Sequence, residues 1–245
     1  PISLNPPHNP WNDENTDMET MHNYYDTDKF PKIDASIVVR DNASFEVAKY
    51  ARNYFANVTS TDQYIGVVID QLEKMGVLEN TIVIFSSDHG EMLGSHKKEG
   101  KNVIEMEAMA IPFIVHWPKG LKKGISDVLL GAPDVLPTIM GLAGLESKIP
   151  TEVQGINFAD LLKNPQTSKV KKPESLLLML THSRGVLTDR YTLCINETKK
   201  SINELGETFI YDNWKDPYQF NKISLDKEPE VAKKLLVQLG EKLKM

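Results

Sequence analysis

The sequence predicts an α/β fold, and three observations carry the prediction. A long helix-periodic stretch ends at a glycine, a short β-branched apolar run follows, and that run breaks directly into polar, glycine-rich sequence. Helix, buried strand and loop in that order is the repeating unit of α/β proteins, whose ligands bind just beyond the carboxyl ends of strands.

The elements follow in order. Residues 5–32 are polar, with Pro, Asn and Asp throughout, and read as a surface loop. From Ala43 to Met75 the apolar positions Val47, Tyr50, Ala51, Tyr54, Phe55, Val58, Ile65, Val68, Ile69, Leu72 and Met75 recur at the three-and-four spacing of one buried helical face. Gly76 is a natural stop. TIVIFSS at 81–87 is apolar almost throughout, as a strand covered on both faces would be. IPFIVHWP at 111–118 reads the same way, which makes His116 a packed or hydrogen-bonded core residue. PDVLPTIMGLAG at 133–144 is a helix with Pro early and Gly late. KNPQTSKVKKP at 163–173 reads as a linker, and the style changes after it. SLLLML, GVLTDRYTLCI and ETFIYD are short strands, and PEVAKKLLVQLGEKL at 229–243 is an amphipathic helix. The expected division is therefore an α/β domain over 1–165 and a small α+β subdomain over 170–245, an antiparallel sheet with one packed helix.

Composition narrows the function classes. With 245 residues, 40% hydrophobic and 25% charged, the chain has the make-up of an ordinary globular protein. A net charge of −6 argues against a nucleic-acid reader, whose affinity comes from clustered Lys and Arg. It does not exclude an anionic substrate, because a bound metal and one Lys reverse the field inside a pocket. Cys194 is the one cysteine, so no intrachain disulfide forms, and in TLCINE it reads as a buried strand residue. No apolar run reaches the roughly 18–20 residues of a membrane span. There is no signal-peptide pattern, and PISLNPPHNPW reads as an entry into a strand already under way, so the chain is expected to be processed or cut from a longer protein.

The chemistry centres on Asp88-His89-Gly90-Glu91, immediately after the first buried strand. Asp88 offers a hard anionic oxygen and His89 an imidazole nitrogen, and at a strand-to-loop bend both can turn toward one ion. An Asx turn with a solvated His is the plainer alternative for those two residues alone. Lys101 follows Asp88 by thirteen residues, in a polar stretch bounded by glycines. A metal and an ammonium facing one cavity suit a tetrahedral anion, each neutralising an oxygen as charge develops.

SSDHGEMLGSH, then GK, then a buried strand ending in WP resembles the sulfatase family of the alkaline phosphatase superfamily. The likeness runs along nearly the whole chain. YFANVTSTDQYIGVVIDQLEKMGVLENTIVIFSSDHGE is similar to the family's long helix and following strand, APDVLPTIMGLAG to its Asp-x-x-Pro-Thr helix, and NPPHNPW to its Pro-His-x-Pro turn. VQGINFADLL, SRGVLTDRYTL and FIYDNWKDP resemble later segments. The resemblance implies part of an alkaline-phosphatase-like mixed, mainly parallel sheet flanked by helices. It implies that Asp88 and His89 bind a divalent metal, usually Ca2+, that Lys101 holds the sulfate and bridging oxygen, and that His8 contacts the sulfate and assists the leaving group. His96 lies where the family commonly has a His, and His182 and Arg184 are candidates for the substrate mouth, a structural role for Arg184 being the alternative. Ala110 departs from the family's usual Arg, a loss expected to weaken a local ion pair rather than the chemistry. The implied partner is a sulfated small molecule or sulfated glycan, in a periplasmic or secreted setting.

The family nucleophile is a formylglycine made from the Cys or Ser of a C/S-x-P-x-R motif, and this sequence contains no such motif. The chain therefore resembles the C-terminal portion of a sulfatase, and alone is expected to be inactive. Two readings stand beside it: a phosphonate monoester or phosphodiester hydrolase of the same superfamily, and a non-catalytic module that keeps the fold.

Overall fold

The computed structural model describes residues 1–26, 51–198 and 201–244. They fall into two compact units, Pro1–Thr81 with His89–Lys101, and Ile82–Asp88 with Asn102–Met245.

The first unit is built on one helix, α1 (Ala51–Lys74). Residues 43–50 of the predicted helix, Val47 and Tyr50 among them, lie outside the described residues, as do residues 27–32 of the predicted loop. The helix stops where glycine predicts. Gly76 takes φ +69°, its N–H donates to Glu73 O at 2.8 Å, and the Val77 N–H donates to Leu72 O at 3.1 Å, which satisfies two terminal carbonyls.

Its buried face differs from the apolar stripe the periodicity predicts. The buried residues are Ala51, Asn53, Ala56, Asn57 and Ser60, whereas Val58 and Met75 are exposed. The reason lies in what covers it. Within this unit the polar N-terminal segment packs on the helix through hydrogen bonds. Asn53 Nδ2 donates to Asp13 Oδ1 and Thr16 Oγ1, both at 3.0 Å, Thr20 Oγ1 donates to Gln63 Oε1 at 3.1 Å, and the Tyr25 hydroxyl lies 2.7 Å from Thr59 Oγ1. The predicted strand at the very N-terminus is irregular; Asp13–Asn15 and Met18–Thr20 form short helical turns, capped by Asn12 and Asp17.

In the second unit, β1 (Val83–Ser86) and β2 (Phe113–His116) pair antiparallel, in register from Val83↔His116 to Ser86↔Phe113. No parallel strand pair occurs among the described residues. Burial on both faces, expected from the apolar runs, is not what these strands show: Phe85 and Ile114 are exposed. Side chains alternate across a strand, so Ile114 and His116 share one face, and that face is exposed. His116 is accordingly not a core residue.

The helix α2 (Ala132–Leu142) carries the Asp-x-x-Pro-Thr sequence, and both polar residues have structural work. Asp134 Oδ2 accepts from the Gly131 N–H at 2.8 Å, capping the helix, while Oδ1 accepts from the Ile156 N–H at 2.7 Å. Thr138 Oγ1 donates to Ile156 O and accepts from the Phe158 N–H. The segment 155–158 is thus clamped along the helix, so closely that a Cβ on Gly155 would lie 1.9 Å from Pro133 O.

The predicted antiparallel sheet with one packed helix is present, and GVLTDRYTLCI, read as one strand, forms two. β3 (Leu176–Met179), β4 (Ser183–Leu187), β5 (Tyr191–Thr198) and β6 (Ser201–Asp212) form one antiparallel sheet in that order. The helix α3 (Pro229–Lys242) lays Ala232, Leu235 and Leu239 against Val186, Leu193 and Ile210 on one face of the sheet. Ile104, Leu178, Cys194, Phe209 and Tyr211 pack on the other, so Cys194 is the buried strand residue expected. Each large apolar side chain so buried contributes about 1.5–3 kcal/mol. Among the described residues, no helix is long and apolar enough to cross a membrane.

Candidate active site

Within the first unit, residues 89–101 form a closed loop. The Met92 N–H donates to Gly100 O at 2.8 Å and the Gly94 N–H to Lys98 O at 2.9 Å. Glu91 Oε1 accepts from the Gly100 N–H at 2.6 Å and the Leu93 N–H at 3.2 Å. Met92 is buried beneath it, as is Ser95. The closure is needed because the backbone is strained: Leu93, His96 and Lys97 all take left-handed φ values of 40–58°. Such conformations cost on the order of 1–3 kcal/mol each in residues other than glycine, and persist only where surrounding bonds impose them.

This loop delivers Lys101 to His8. Lys101 Nζ lies 3.1 Å from His8 Nε2. The other ring nitrogen, Nδ1, lies 2.7 Å from Asn9 O. A carbonyl only accepts, so Nδ1 carries the proton and Nε2 presents its lone pair to the lysine ammonium. The Pro-His-x-Pro turn is itself anchored: the His8 N–H donates to Asn5 O at 3.0 Å and Trp11 Nε1 to Pro7 O at 2.7 Å. The Trp11 ring meets Tyr54 of α1 edge-on, with centroids 5.7 Å apart. Tyr54 also feels the loop. Burial, and then the Glu91 carboxylate, push its hydroxyl pKa up. One helix residue thus stands beside both the histidine turn and the lysine loop.

The other predicted residues are placed as follows. Asp88 is exposed at the end of β1, with Ser87 Oγ donating to its Oδ1 at 3.4 Å. His89 is half-buried in the first unit, and its Nδ1 lies 2.8 Å from Gly90 O. That bond fixes Nδ1 as the protonated nitrogen and leaves Nε2 as the donor atom, the tautomer a metal-ligating histidine adopts. Among the described residues, no three His, Cys, Asp or Glu side chains gather as a metal-holding group. Asp88, in the second unit, offers a carboxylate, and His89, in the first, an imidazole nitrogen; each is a donor type that cations accept.

His96 occupies a left-handed position in the loop, half-buried. His182 is exposed and its carbonyl accepts from the Glu197 N–H at 2.8 Å. Beside it, the Thr181 N–H and hydroxyl donate to Asn102 Oδ1, at 3.2 and 3.3 Å. Arg184 forms an ion pair with Glu197, whose side chain is only 6% exposed. A carboxylate so buried needs a partner, and Arg184 supplies it. Ala110 is exposed.

Two residues of the site escaped the sequence. Tyr54 looked like one more core position, and Glu91 like the end of the motif. The signal available for Glu91 was its place in a loop bounded by glycines, where a carboxylate commonly collects backbone N–H donors.

The Sulfatase family model matches residues 2–145, and the model for the N-sulphoglucosamine sulphohydrolase C-terminal region matches residues 94–245. An endo-4-O-sulfatase of Bacteroides thetaiotaomicron is 36% identical over 261 residues, covering 99% of this chain and 50% of the relative. A solved 4S-sulf structure from a glycosaminoglycan-metabolism locus of the same organism superposes with a TM-score of 0.89 at 34% identity, over 99% of this chain and 53% of that one. A further solved structure, in complex with its substrate D-glucosamine-2-N,6-O-disulfate, gives a TM-score of 0.71 at 27% identity, over 86% and 44%. The chain spans about half the length of the relatives it matches.

Proposed function

The chain belongs to the sulfatase family, and from that premise we propose that it forms one wall of a sulfuric ester hydrolase site acting on sulfated glycans. The observation that carries this reading is the 3.1 Å contact between Lys101 Nζ and His8 Nε2, two residues 93 positions apart. An ammonium beside an imidazole lone pair is suited to an ester of a strong oxyacid. Lys101 holds the bridging and peripheral oxygens as negative charge builds on them, and the proton that its ammonium donates toward His8 Nε2 is the one the pair can pass to the departing alkoxide. The names of the relatives support the substrate class: an endo-4-O-sulfatase and a structure holding a disulfated glucosamine.

Asp88 and His89 would hold the divalent cation, Ca2+ by family habit, and the His89 tautomer with its proton on Nδ1 fits that role. Such a cation, when bound, polarises the sulfuryl oxygens. The nucleophile would be a formylglycine, for which this sequence has no C/S-x-P-x-R precursor. The β1–β2 pair would belong to a larger mixed, mainly parallel sheet. His96 and His182 remain candidates for contacts to the sugar.

The test is sulfate release from a 4-O-sulfated glycan and from an aryl sulfate by the whole protein, with the 245-residue chain assayed alongside. Sulfate release by the whole protein and none by the isolated chain is expected. Turnover by the isolated chain would overturn the claim that its nucleophile lies elsewhere. Faster cleavage of a phosphonate ester than of any sulfate ester would move the reading to the phosphonate monoester hydrolases.

A further inference from the structure

Two loops of the second unit carry a charge balance opposite to that of the chain. Residues 117–127 hold Lys119, Lys122 and Lys123, and residues 163–172 hold Lys163, Lys169, Lys171 and Lys172, with Asp127 the one acidic residue in either loop. These 21 residues therefore carry +6, while the chain carries −6, so the other 224 carry −12.

The fold lays the two loops side by side. At one end Lys163 Nζ sits 5.6 Å from the centre of the Trp117 ring, and at the other Lys172 pairs with Asp127. Each end is reinforced. Lys163 Nζ also donates to Gly141 O at 3.1 Å, and the Trp117 ring lies so close over Gly120 that a Cβ there would approach it to 2.1 Å. Asp160 accepts from Ser168 Oγ and Asn164 Nδ2, which fixes the turn at 164–168. Between the two ties, Lys119, Lys122, Lys123, Lys169 and Lys171 are all exposed. The loops' one carboxylate is engaged by Lys172, and that pairing holds its pKa below the usual range.

A strip of ammonium groups on an otherwise acidic protein focuses anions onto that strip. We propose that this paired-loop face is an exosite for the chain of a sulfated polysaccharide, holding the polymer by charges other than the ester being cleaved; it rests on the sulfated-glycan reading above. The composition favours a glycan over the other polyanions. Base stacking needs exposed aromatic faces, and the one aromatic ring here, Trp117, is half-buried, with Gly120 packed close to it and the Lys163 ammonium over it. A lipid surface needs apolar insertion, and Ile125 is the single fully exposed large apolar side chain in the two loops. Neither loop contains Arg, the residue favoured for forked phosphate recognition, and lysines act as point charges along a flexible polymer.

The test uses the whole protein and the variant Lys119→Ala/Lys122→Ala/Lys169→Ala/Lys171→Ala, all at exposed positions. Binding of heparin and of a chondroitin sulfate chain is measured directly by calorimetry across a salt series, and turnover of an aryl sulfate in parallel. We expect affinity for the polysaccharide to fall roughly ten-fold or more at about 0.15 M salt, with a shallower dependence on salt. Aryl sulfate turnover and melting temperature stay unchanged. A variant with the same four lysines replaced by Arg should restore binding. Unchanged polysaccharide affinity in the Ala variant overturns the proposal, as does tighter binding of the parent protein to duplex DNA or to anionic phosphatidylserine vesicles. Failure of the sulfatase reading would show separately, as absent aryl sulfate turnover in parent and variant alike.

Discussion

The ammonium of Lys101 and Nε2 of His8 stand 3.1 Å apart, with the opposite nitrogen of the ring committed to Asn9 O. The histidine is thereby locked in one tautomer, and its reactive nitrogen faces a proton donor. Each residue should then depend on the other. In the whole protein, Lys101→Ala and His8→Ala should each lower kcat by about 10²–10³-fold. The double variant should lose much less than the product of the two, because groups that act as a unit are non-additive. Steady-state kinetics on an aryl sulfate read this out, and simple multiplicativity would show that the two act independently.

Glu91 acts through the loop rather than on substrate. Its Oε1 accepts from the N–H groups of Leu93 and Gly100, the residues at either side of the strained turn. Glu91→Ala should speed hydrogen exchange at both amides and lower kcat/KM by roughly ten-fold, whereas Glu91→Gln, which keeps an acceptor oxygen, should recover most of both. Equal effects of the two substitutions would mean that the charge matters and the bonds do not.

Gly155 is a packing prediction. A Cβ at that position would lie 1.9 Å from Pro133 O, a backbone atom that the capped start of α2 holds in place. Gly155→Ala should destabilise the protein by about 2–4 kcal/mol. Gly144→Ala is the control: it meets nothing within 4 Å and should cost only about 1 kcal/mol for its φ of +73°. Urea midpoints compare the two directly.

Asp212 gives a pH prediction. Arg190 donates to both of its carboxylate oxygens, at 2.7–3.2 Å, and holds its pKa below the usual carboxylate value. A depressed folded-state pKa adds stability that is present above the unfolded-state pKa of about 3.9 and is lost as pH falls through the lower, folded one. Asp212→Asn should therefore be destabilised most near neutral pH and converge on the parent protein as the solution is acidified below about pH 4. Denaturation series from neutral to acid pH test it, and a difference that stays constant with pH would rule out the ion pair as the cause.

Much of this was legible in the residues. The hairpins at Leu176–Asp212 and the amphipathic helix after them carry local alternation and three-and-four spacing, and the structure follows both. Asp88, His89 and Lys101 stood out because charged residues among glycines after a buried run are uncommon. What stayed hidden depends on partners distant in sequence. Nothing near Ile114 or His116 says which strand face is left open, so His116 was misplaced. The polar face of α1 became clear only from the hydrogen bonds of Asn53 and Gln63 to the N-terminal segment. Arg184 showed a charge in the sequence, but its partner Glu197 lies on the neighbouring strand. The lysines at 163–172 read as a linker because their counterparts at 117–127 are some forty residues away.

The bonds around α1 have a consequence for heating. The histidine turn and the lysine loop are kept in place by side-chain contacts to Tyr54 and Glu91 and by short loop hydrogen bonds, not by the strand ladder or the apolar layer under α3. Regions held this way open at lower free energy than a packed sheet. Warming should therefore loosen the His8–Lys101 pair while far-ultraviolet circular dichroism still reports intact β3–β6, so a melting curve recorded on the sheet would overstate the temperature to which that pair survives.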